Sequence, residues 1–575
     1  MAKEKNIFQT LTTPFEKELT DTPYSEYPRP ILKRASYMSL NGKWKFSVYF
    51  NENKLYDGDI LVPFVPESKI SGVYKTFPYG SRLKYKRSLI IPNKFIKDRV
   101  LLHFGAVDRY CSVNVNGQTV LEHDGGYLPF TADITESLKD GENIIEIEVV
   151  DDLDTDYPYG KQRKKRGGMW YTPISGIWQS VWLESVCENY IERIVINTDM
   201  SSATIKVVGG EADKKLYLDV DGREAEYAFS GDVITVNIPT PKLWSPDCPN
   251  IYRFRLVSGK DEVESYFALR EISVCKRGEI PCILLNGTPI FMHGLLDQGY
   301  FSDGIYMPST PEGYKNDILS MKELGFNMLR KHIKIEPQLF YYYCDIYGML
   351  VWQDMVNSGI YNFLIDTALP TVGIKKGIKH RATKKRKDIF ETTAKETLEL
   401  LHNHPSVVYY TIFNEGWGQY EADRIYRELK AVDRSRIYDS TSGWFKEKES
   451  DVESLHIYFK PVKLKSSFEK PVVLSEFGGY SYKITGHSFN LDKTYGYKMF
   501  EDKDSFERAL ISLYEDEIIP AIDNGLCASV LTQLSDVEDE TNGLYTYDRQ
   551  VLKVDSKKMR AIADKLYDKF KKRLK

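Results

Sequence analysis

The sequence predicts a multidomain chain of α and β structure, in which two β-sandwiches are followed by a (β/α)8 barrel. Length is the first reason, because 575 residues exceed what one hydrophobic core usually serves, and about two to four domains are expected. A change of period is the second reason. Before about Glu279 apolar and polar residues alternate as in half-buried strands, whereas after it strand-like runs alternate with amphipathic helices. We therefore expect β domains first and a mixed domain last.

The first predicted sandwich covers residues 41–184. The runs "NGKWKFSVYF", "RVLLHFGAVDRYCSVNVNG" and "NIIEIEVVD" each alternate apolar and polar residues, as strands with one buried face do. Asn116-Gly117 and Asp124-Gly125 stand between such runs and supply the residues that tight turns prefer. The segment is therefore predicted to be all β.

The second predicted sandwich covers about Cys187 to Arg277. The segment is shorter than the first and carries the strand candidates "TIKVVGG", "KLYLDVDG" and "DVITVNIP". This pattern is consistent with about seven strands, as in an immunoglobulin-like domain. Together with the barrel, it divides the chain into predicted domains at 1–185, 186–277 and 278–575.

Eight strand candidates follow in the third predicted domain. They are "IFMHGL" (290–295), "NMLRKH" (327–332), "MLVWQD" (349–354), "VVYYTIFNE" (407–415), "RIYDSTS" (436–442), "SLHIYF" (454–459), "PVVLSEFG" (471–478) and "ASVLTQLSD" (528–536). Eight strands separated by helices are the number of a (β/α)8 barrel, whose catalytic groups sit at the carboxyl ends of the strands. Polar residues at those strand ends are therefore the candidates for a functional site.

Two glutamates occupy such strand ends. Glu415 closes the apolar run of strand four, and Glu476 ends strand seven. Two inward carboxylates at a barrel mouth can cleave a glycosidic bond, since one protonates the leaving oxygen while the other attacks or activates water. Asn414 suits this chemistry, because its amide can bind a sugar 2-hydroxyl. Taken alone, Asn-Glu at a strand end is as often a helix cap or a salt-bridge partner; the second glutamate favours the catalytic interpretation.

Charge and composition bound the partners and the compartment. The formal charge is −4, from 78 basic and 82 acidic residues, which gives no overall field for nucleic acid or an anionic membrane. The amino terminus lacks the apolar segment of a signal peptide, and no run of about 18 apolar residues occurs. The seven cysteines stand singly, without a zinc spacing. We expect a cytoplasmic protein with reduced thiols and without nucleic-acid or membrane partners.

Further motifs follow one another along the chain. The first part contains "NGKWKF" (41–46), "HFGAVDRYCSVNVNG" (103–117), "GGYLPFTADIT" (125–135) and "YTPISGIWQSVWLE" (171–184), and the middle contains "LWSPDCPNIY" (243–252) and "ALREIS" (268–273). The barrel adds "GFNMLRKH" (325–332), "YGMLVWQDM" (347–355), "NHPSVVYYTIFNE" (403–415) and "SEFG" (475–478). Over essentially its whole length the chain resembles glycoside hydrolase family two, the family of β-galactosidases, β-glucuronidases and β-mannosidases. The resemblance implies a jelly-roll sugar-binding domain, an immunoglobulin-like β-sandwich and a catalytic TIM barrel.

The resemblance also implies catalytic roles. Glu415 matches the acid/base of the family and Glu476 its nucleophile, for a retaining double displacement in which the carboxyl groups lie about 5–5.5 Å apart. Glu415 must then be protonated when substrate arrives and ionised once the leaving group has departed. Tyr458 matches the tyrosine beside the nucleophile; its alternative is a buried structural tyrosine. Arg330 and His332 resemble pocket residues of strand two, and Arg330 is alternatively a buried partner that keeps a glutamate ionised.

Three departures from the family pattern leave the sugar open. After strand one, where relatives often carry His-Glu, this chain has Asp297, Gln298 and Gly299. Strand eight reads "LTQLSDVEDETNG" where a tryptophan is common, and no Asn-x-Lys signature for a glucuronate carboxylate follows it. We therefore expect other groups to bind the sugar, with Asp297, Gln533 and Asp536 as candidates.

Basic segments offer a site for an acidic sugar. Lys331 and Lys334 flank His332, and "KQRKKRGG" (161–168) is a loop of the kind that can reach the barrel mouth. Either would bind a uronate carboxylate as a charge-assisted pair, and solvated surface is the alternative for the loop. The run "KKGIKHRATKKRK" (375–387) is expected to be an exposed loop, with a lid or an anionic aglycone site as the alternative.

The expected function is that of a retaining exo-β-glycosidase acting on an oligosaccharide or glycoconjugate. A β-galactosidase-like specificity comes first, and a β-uronidase, either β-galacturonidase or β-glucuronidase, comes second. A carbohydrate-binding protein without catalysis is the alternative of a different class, since fold alone does not define function. No cofactor or metal is expected, and a Mg²⁺ or Na⁺ ion, which some relatives bind near the acid/base, stays open. The short architecture favours a homo-oligomer.

Overall fold

The computed structural model describes residues 7–278, 280–371, 374, 382–464 and 469–574 of the chain. They form two β-sandwiches and a parallel barrel, in the order that the sequence predicts. Separate apolar clusters fill the first sandwich, the second sandwich and the barrel. None of the helices in these residues has the length and apolar content that a membrane span requires.

The first sandwich packs a six-stranded antiparallel sheet against a four-stranded one. Along Gly42–Phe50 every second side chain turns inward, Trp44 and Phe46 among them, which is the alternation that the sequence shows. In spatial order the larger sheet contains Asn53–Val62, Gly42–Phe50, Arg82–Ile90, Glu142–Val150, Tyr110–Val115 and Gln118–Asp124. The smaller sheet contains Tyr37–Ser39, Val181–Val186, Arg99–Phe104 and Phe130–Asp133, and Val107–Asp108 pairs separately with Gly176–Ile177.

The second sandwich has seven antiparallel strands, the number predicted for it. One sheet contains Ile191–Thr198, Ser202–Gly209 and Val233–Asn237, and the other contains Arg223–Ser230, Asp213–Val220, Tyr252–Ser258 and Asp261–Phe267. Facing side chains such as Ile205 and Leu216 are fully buried between the sheets. Arg34, which precedes the first sandwich, joins the two sandwiches through ion pairs of 2.9 Å with Glu184 and with Asp261.

Eight parallel strands form the barrel, and each corresponds to a strand that the sequence predicts. In chain order they are Met292–Asp297, Met328–Lys331, Leu350–Asp354, Val407–Asn414, Ile437–Ser442, Glu453–Ile457, Val472–Gly478 and Leu526–Thr532; they are called strands one to eight below. The sheet runs five, four, three, two, one, eight, seven, six, so that strands five and six approach each other and the barrel is nearly closed. All carboxyl ends therefore lie at one rim.

Helices cover the outside of the barrel. The long ones are Glu312–Glu323, Gln338–Tyr347, Lys384–Leu401, Ala422–Val432, Lys503–Leu513 and Ser556–Arg573, and shorter helical segments lie at Leu364–Ala368, Leu369–Thr371, Tyr514–Ile518, Ile519–Ala521 and Ile522–Asn524. Two predictions need correction. Strands five and six are joined by residues 443–452 without a helix, and strand eight ends at Thr532 instead of residue 536.

The basic run 375–387 is only partly described. Residues 375–381 lie outside the described residues. Residues 384–387 begin the helix Lys384–Leu401, because the Thr383 side chain accepts from the Arg386 amide at 3.1 Å and caps the first turn. The expectation of an exposed loop is therefore wrong for 384–387.

A small sheet packs against the amino-terminal end of the barrel. It consists of Ile272–Arg277, Ile280–Leu285 and Thr288–Pro289. Its side chains Ile272 and Ile283 join Trp244, Met328 and Trp352 in one buried cluster. Because apolar groups fill this end, the polar side chains of the barrel gather at the opposite rim, where the strands end.

Candidate active site

Glu415 and Glu476 lie together at the carboxyl rim of the barrel. Glu415 directly follows strand four with a left-handed backbone (φ 53°), a conformation that costs about 1 kcal/mol or more and is typical of functional sites. Glu476 lies in strand seven. One oxygen of each carboxylate lies within 4.8 Å of the other and of a nitrogen of His456. This separation suits retaining enzymes, with about 5–5.5 Å between carboxyl groups, and is too short for the water of an inverting one.

Three hydrogen-bonding or positively charged groups surround the Glu476 carboxylate. Arg330 donates to Oε1 at 3.1 Å, the Tyr458 hydroxyl donates to Oε2 at 2.5 Å, and His456 Nε2 lies 3.6 Å from Oε1. Burial by itself raises the pKa of Glu476, but His456 and Arg330 outweigh it and lower the pKa to about 2. Glu476 is therefore a buried anion, as a nucleophile must be.

Arg330 is the fully buried centre of the site. Its guanidinium donates to both oxygens of Asp354 at 3.0 Å, to Asn414 Oδ1 at 2.9 Å and to Ser442 Oγ at 3.1 Å. The Asn414 oxygen also accepts from Ser442 at 2.7 Å, so that both of its lone pairs are used. Its NH2 group has no hydrogen-bond partner within the described residues and can donate to a ligand. Of the two roles expected for Arg330, the structure shows the buried partner of a glutamate.

His332 is held by the same carboxylate as Arg330. Its Nδ1 lies 2.7 Å from Asp354 Oδ2, which fixes the ring, and its Nε2, without a hydrogen-bond partner among the described residues, can contact a ligand. Burial lowers the pKa of His332, and the positive charge of Lys161 lowers it further. The contact with Asp354 raises the pKa, but the net shift is downward. A neutral imidazole can donate to or accept from a sugar hydroxyl.

Aromatic rings line the rim of the barrel. Tyr458 stacks on Tyr497 with ring centroids 3.9 Å apart, and its hydroxyl also bonds Thr532 at 2.9 Å. Trp170 of the first sandwich packs edge-on against Trp417, which follows strand four, at 5.0 Å. Such rings suit the apolar face of a sugar or an aglycone.

The 161–168 loop of the first sandwich reaches the barrel, as its sequence suggests. Arg166 pairs with Glu538 at 3.1 Å, and the Gly168 amide donates to Asp539 at 3.4 Å. Both carboxylates belong to the connection after strand eight. The loop is therefore part of the rim, although Lys164 and Lys165 within it are exposed.

Lys161 is the cation that this loop brings to the site. Its positive charge lowers the pKa of His332, as burial also does. It lowers the pKa of Glu540 as well, whereas burial raises that pKa. Its ammonium lies 5.6 Å from the Trp170 ring centroid and, within the described residues, forms no hydrogen bond or ion pair. A half-buried cation in this position can pair with an anionic group of a ligand.

Lys331 and Lys334 are used inside the protein, contrary to the prediction that they bind a uronate. Lys331 donates to Asp297 at 2.5 Å and to Glu336 at 2.9 Å. Lys334 donates to Glu336 at 2.9 Å and to the Gly299 carbonyl at 2.6 Å. Both side chains are at most 2% exposed. A buried cation requires such partners, so neither lysine, nor Asp297, is available to a substrate.

The strand-eight candidates are also committed to protein contacts, and their prediction as sugar ligands is corrected accordingly. Gln533 accepts from Gln298 and donates to Asn542, both at 2.9 Å. Asp536 accepts from Lys553 at 2.6 Å. Both side chains are buried, and their contacts lie within the barrel and the connection after strand eight.

The structure adds three residues that the sequence analysis does not single out. His456 precedes Tyr458 by two residues, so the alternation of a strand could have placed both on one face. Asp354 ends strand three, and its pairing with Arg330 follows only once the strands are closed into a barrel. Tyr497 lies in the connection after strand seven, for which no local pattern predicts a contact.

Glu415, His456 and Glu476 are donors of the kind that bind metals, and their atoms lie within 4.8 Å of one another. Arg330 already places a positive charge 3.1 Å from Glu476. Glu415 Oε1 and His456 Nδ1, two atoms that could bind a metal, already contact each other at 2.8 Å. This charge balance favours proton chemistry over binding of a cation.

Two carboxylates at this separation, on strands four and seven of a (β/α)8 barrel, are the arrangement that glycoside hydrolases use. Comparison with known families gives the particular one. "Glycosyl hydrolases family 2, sugar binding domain" matches residues 76–186, and "Glycosyl hydrolases family 2, TIM barrel domain" matches residues 281–552. The chain belongs to glycoside hydrolase family 2.

Individual relatives agree with this family. A β-galactosidase of Thermoanaerobacter pseudethanolicus is 25% identical over 79% of this chain and 61% of its own length, and human β-glucuronidase is 24% identical over 76% of this chain and 77% of its own. The solved β-D-glucuronidase of Dictyoglomus thermophilum shares the fold, with a TM-score of 0.73 at 20% identity, over 95% of this chain and 98% of that one. The chain spans 39% to 61% of the length of five curated relatives.

The charge of Glu476 makes the stability of the protein depend on pH. Because its pKa is lowered to about 2 from an ordinary value of 4.5, the ionised form stabilises the folded state above about pH 4.5, and this contribution is lost as the pH falls toward 2. Between about pH 6 and about pH 3.5, the free energy of unfolding is expected to fall by about 1 kcal/mol more in the wild type than in Glu476→Gln. Urea unfolding at both pH values measures this; equal losses would contradict it.

Proposed function

We propose that this chain is a retaining exo-β-glycosidase that removes a terminal β-linked sugar from an oligosaccharide or glycoconjugate. The observation that carries the proposal is the pair Glu415 and Glu476, of which one carboxylate oxygen each lies within 4.8 Å of the other. Tyr458 beside Glu476 supports it, as does the NH2 group of Asn414, which has no partner in the part of the chain that the structure describes. A homo-oligomer in the cytoplasm remains part of the proposal.

The reaction proceeds in two displacements. Glu476 attacks the anomeric carbon while the glycosidic bond breaks, and Glu415 gives its proton to the leaving oxygen, so that Glu476 becomes a neutral ester. Glu415, now ionised, takes a proton from water, whose oxygen attacks the same carbon and releases Glu476 as an anion. Two inversions restore the β-configuration. Tyr458, which donates to Glu476 at 2.5 Å, is placed to stabilise the departing carboxylate.

A terminal β-galactoside is the first candidate substrate, in line with the β-galactosidases among the relatives. One observation favours a β-uronide as the second candidate. Lys161 places an ammonium without a hydrogen bond or ion pair, within the described residues, close to His332. A uronate carboxylate would give it a charge-assisted partner. The β-glucuronidases, which are matched over most of their own length, add support.

Initial rates on aryl β-glycosides test the proposal. The panel contains the galactoside, glucuronide, galacturonide, mannoside and fucoside, at one enzyme concentration. We expect turnover of at least one sugar, and proton NMR of the first product should show the β-anomer, because a double displacement retains configuration. The α-anomer as first product would contradict retention. Absence of turnover on the whole panel would favour the carbohydrate-binding protein.

Lys161→Gln separates the two candidate sugars. If the substrate is a uronide, kcat/KM is expected to fall by about ten- to hundredfold, because a charge-assisted hydrogen bond contributes about 1.5–3 kcal/mol. A neutral glycoside should change by less than about threefold. Lys165→Gln is the matched control, since Lys165 is an exposed lysine of the same loop. Equal losses on uronide and galactoside would argue against a carboxylate contact at Lys161.

A further inference from the structure

His456 lies between the two glutamates of the site. Its Nδ1 is 2.8 Å from Glu415 Oε1, and its Nε2 is 3.6 Å from Glu476 Oε1. The imidazole is fully buried, and Nε2 has no hydrogen-bond partner within the described part of the chain. An unpaired buried nitrogen costs about 1–3 kcal/mol. A favourable charge interaction with the Glu476 anion is the simplest reason for its position.

The protein builds a specific place for this ring. The register between strands six and seven shifts at His456, so that it pairs directly with Glu476, and such irregularities re-aim side chains. Gly443, with a φ of 90°, gives the ring room, because a Cβ there would lie 3.1 Å from His456 Nδ1. Trp444 packs edge-on against the ring, with centroids 6.2 Å apart. The position of the imidazole is therefore set by several elements.

Other charged groups face the trio of Glu415, His456 and Glu476 from neighbouring strands. Arg330 of strand two contacts Glu476 Oε1 at 3.1 Å. Asp439 of strand five is a second such group. Burial raises its pKa to about 6, and His456 is close enough to offset part of that rise. The hydroxyl of Tyr458, two residues along from His456, donates to Glu476. Within the described ranges of the chain, His456 is the side chain with a nitrogen within 3.6 Å of each glutamate.

We propose that His456 is a positioning residue whose positive charge pairs with whichever of the two glutamates is ionised. The inference rests on the proposed roles of Glu415 and Glu476. In the free enzyme the imidazolium neutralises Glu476, while Glu415 keeps its proton. Once Glu476 is an ester and Glu415 has given its proton to the leaving group, the same imidazolium donates Nδ1–H to Glu415 through the existing contact of 2.8 Å.

The charge of the trio is then equal in both halves of the reaction. Glu476 and His456 are the ion pair before the ester forms, and Glu415 and His456 are the ion pair after it. His456 gains and loses no proton, so all proton transfers run between Glu415, the leaving group and water. One cation within 3.6 Å of both carboxylates therefore avoids an unpaired buried charge in either state.

The test is the pH dependence of kcat/KM for the full-length enzyme and for His456→Gln, on an aryl glycoside that the wild type hydrolyses. Without the cation both glutamates hold protons more tightly. Ionisation of Glu476 sets the acidic limb and loss of the Glu415 proton sets the alkaline limb, so both limbs are expected to move to higher pH by about one unit or more. A merely structural role would lower the profile without moving its limbs, and that result would overturn the inference.

Two further variants keep the test decisive. His402→Gln is the matched control, because His402 lies before strand four, at the opposite end of the barrel, and pairs with Asp433 at 3.5 Å; its limbs should not move. Gly443→Ala displaces the ring without removing it and is expected to move both limbs in the same direction by a smaller amount. If thermal unfolding shows that His456→Gln does not fold, Gly443→Ala becomes the variant that tests the inference. Unmoved limbs in a folded Gly443→Ala would then count against the inference.

Labelling with a 2-fluoro glycoside distinguishes the two ways of failing. The trapped ester is located by mass spectrometry of the digested wild type and of His456→Gln. A label absent from Glu476 in the wild type would contradict the proposed function itself. A label on Glu476 in both proteins, together with unmoved pH limbs, would contradict the role of His456 alone.

Discussion

Replacing Glu476 by glutamine is expected to lower kcat by about 10⁵-fold on every substrate that the enzyme hydrolyses, because the isosteric amide cannot form the glycosyl ester. The fold should persist, since Arg330 keeps Asp354 as a counter-ion at 3.0 Å. Initial rates at saturating substrate measure the loss, and circular dichroism checks the fold. Glu428→Gln, in the outer helix Ala422–Val432 and 39% exposed, is the matched control and should retain wild-type rates.

Glu476→Ala adds a test of direction. The shorter side chain leaves space beside the anomeric carbon, and added azide is expected to attack from that side in a single displacement. A single displacement inverts a β-glycoside, so the product should be the α-glycosyl azide. Recovery of rate with this product assigns the nucleophile to Glu476. Wild-type activity in Glu476→Gln, or a β-azide from Glu476→Ala, would be inconsistent with that assignment.

Glu415→Gln is expected to have an effect that depends on the leaving group. General acid catalysis contributes about 10²–10⁴-fold, and a dinitrophenolate leaves without needing a proton. We therefore expect kcat/KM to fall by about 10³–10⁴-fold for a disaccharide and by less than about tenfold for the dinitrophenyl glycoside of the same sugar. The ratio of the two losses is the measurement. Losses of the same size on both substrates would remove Glu415 from the acid role.

Azide also probes Glu415 from the other side of the reaction. In Glu415→Ala the ester still forms on Glu476 with the dinitrophenyl substrate, but water lacks its base. Azide needs no base and should attack the ester from the face that water normally uses, giving the β-glycosyl azide after two inversions. Opposite azide anomers from Glu415→Ala and Glu476→Ala would assign the two carboxylates to opposite faces of the sugar.

The eight strands and the two glutamates could be predicted because position along the chain determines position in a parallel barrel. Residues that end different strands share one rim, so Glu415 and Glu476 meet although 60 residues lie between them in the sequence. The same reasoning fails for Lys331 and Lys334. A lysine beside a strand end looks available until its buried partner is placed, and that partner, Glu336, lies in the following connection.

The electrostatic surroundings of the nucleophile could be predicted least. Arg330, Asp354 and His456 come from strands two, three and six, and each acts on Glu476 directly or through another of them. Such contacts depend on distances between strands, whereas a periodic pattern describes only the two faces of one strand. Sequence alone therefore indicated which carboxylates meet at the rim but not what holds one of them as an anion.

Under the proposed function, chemistry and selectivity are divided between two folds. The barrel contributes the two carboxylates proposed to react, whereas the first sandwich contributes the 161–168 loop, with Lys161, at the same rim. A change of length or charge in that loop can alter substrate preference while the reacting groups stay where they are. A barrel grafted onto a foreign sandwich would then keep the proposed reaction but change its preference among sugars.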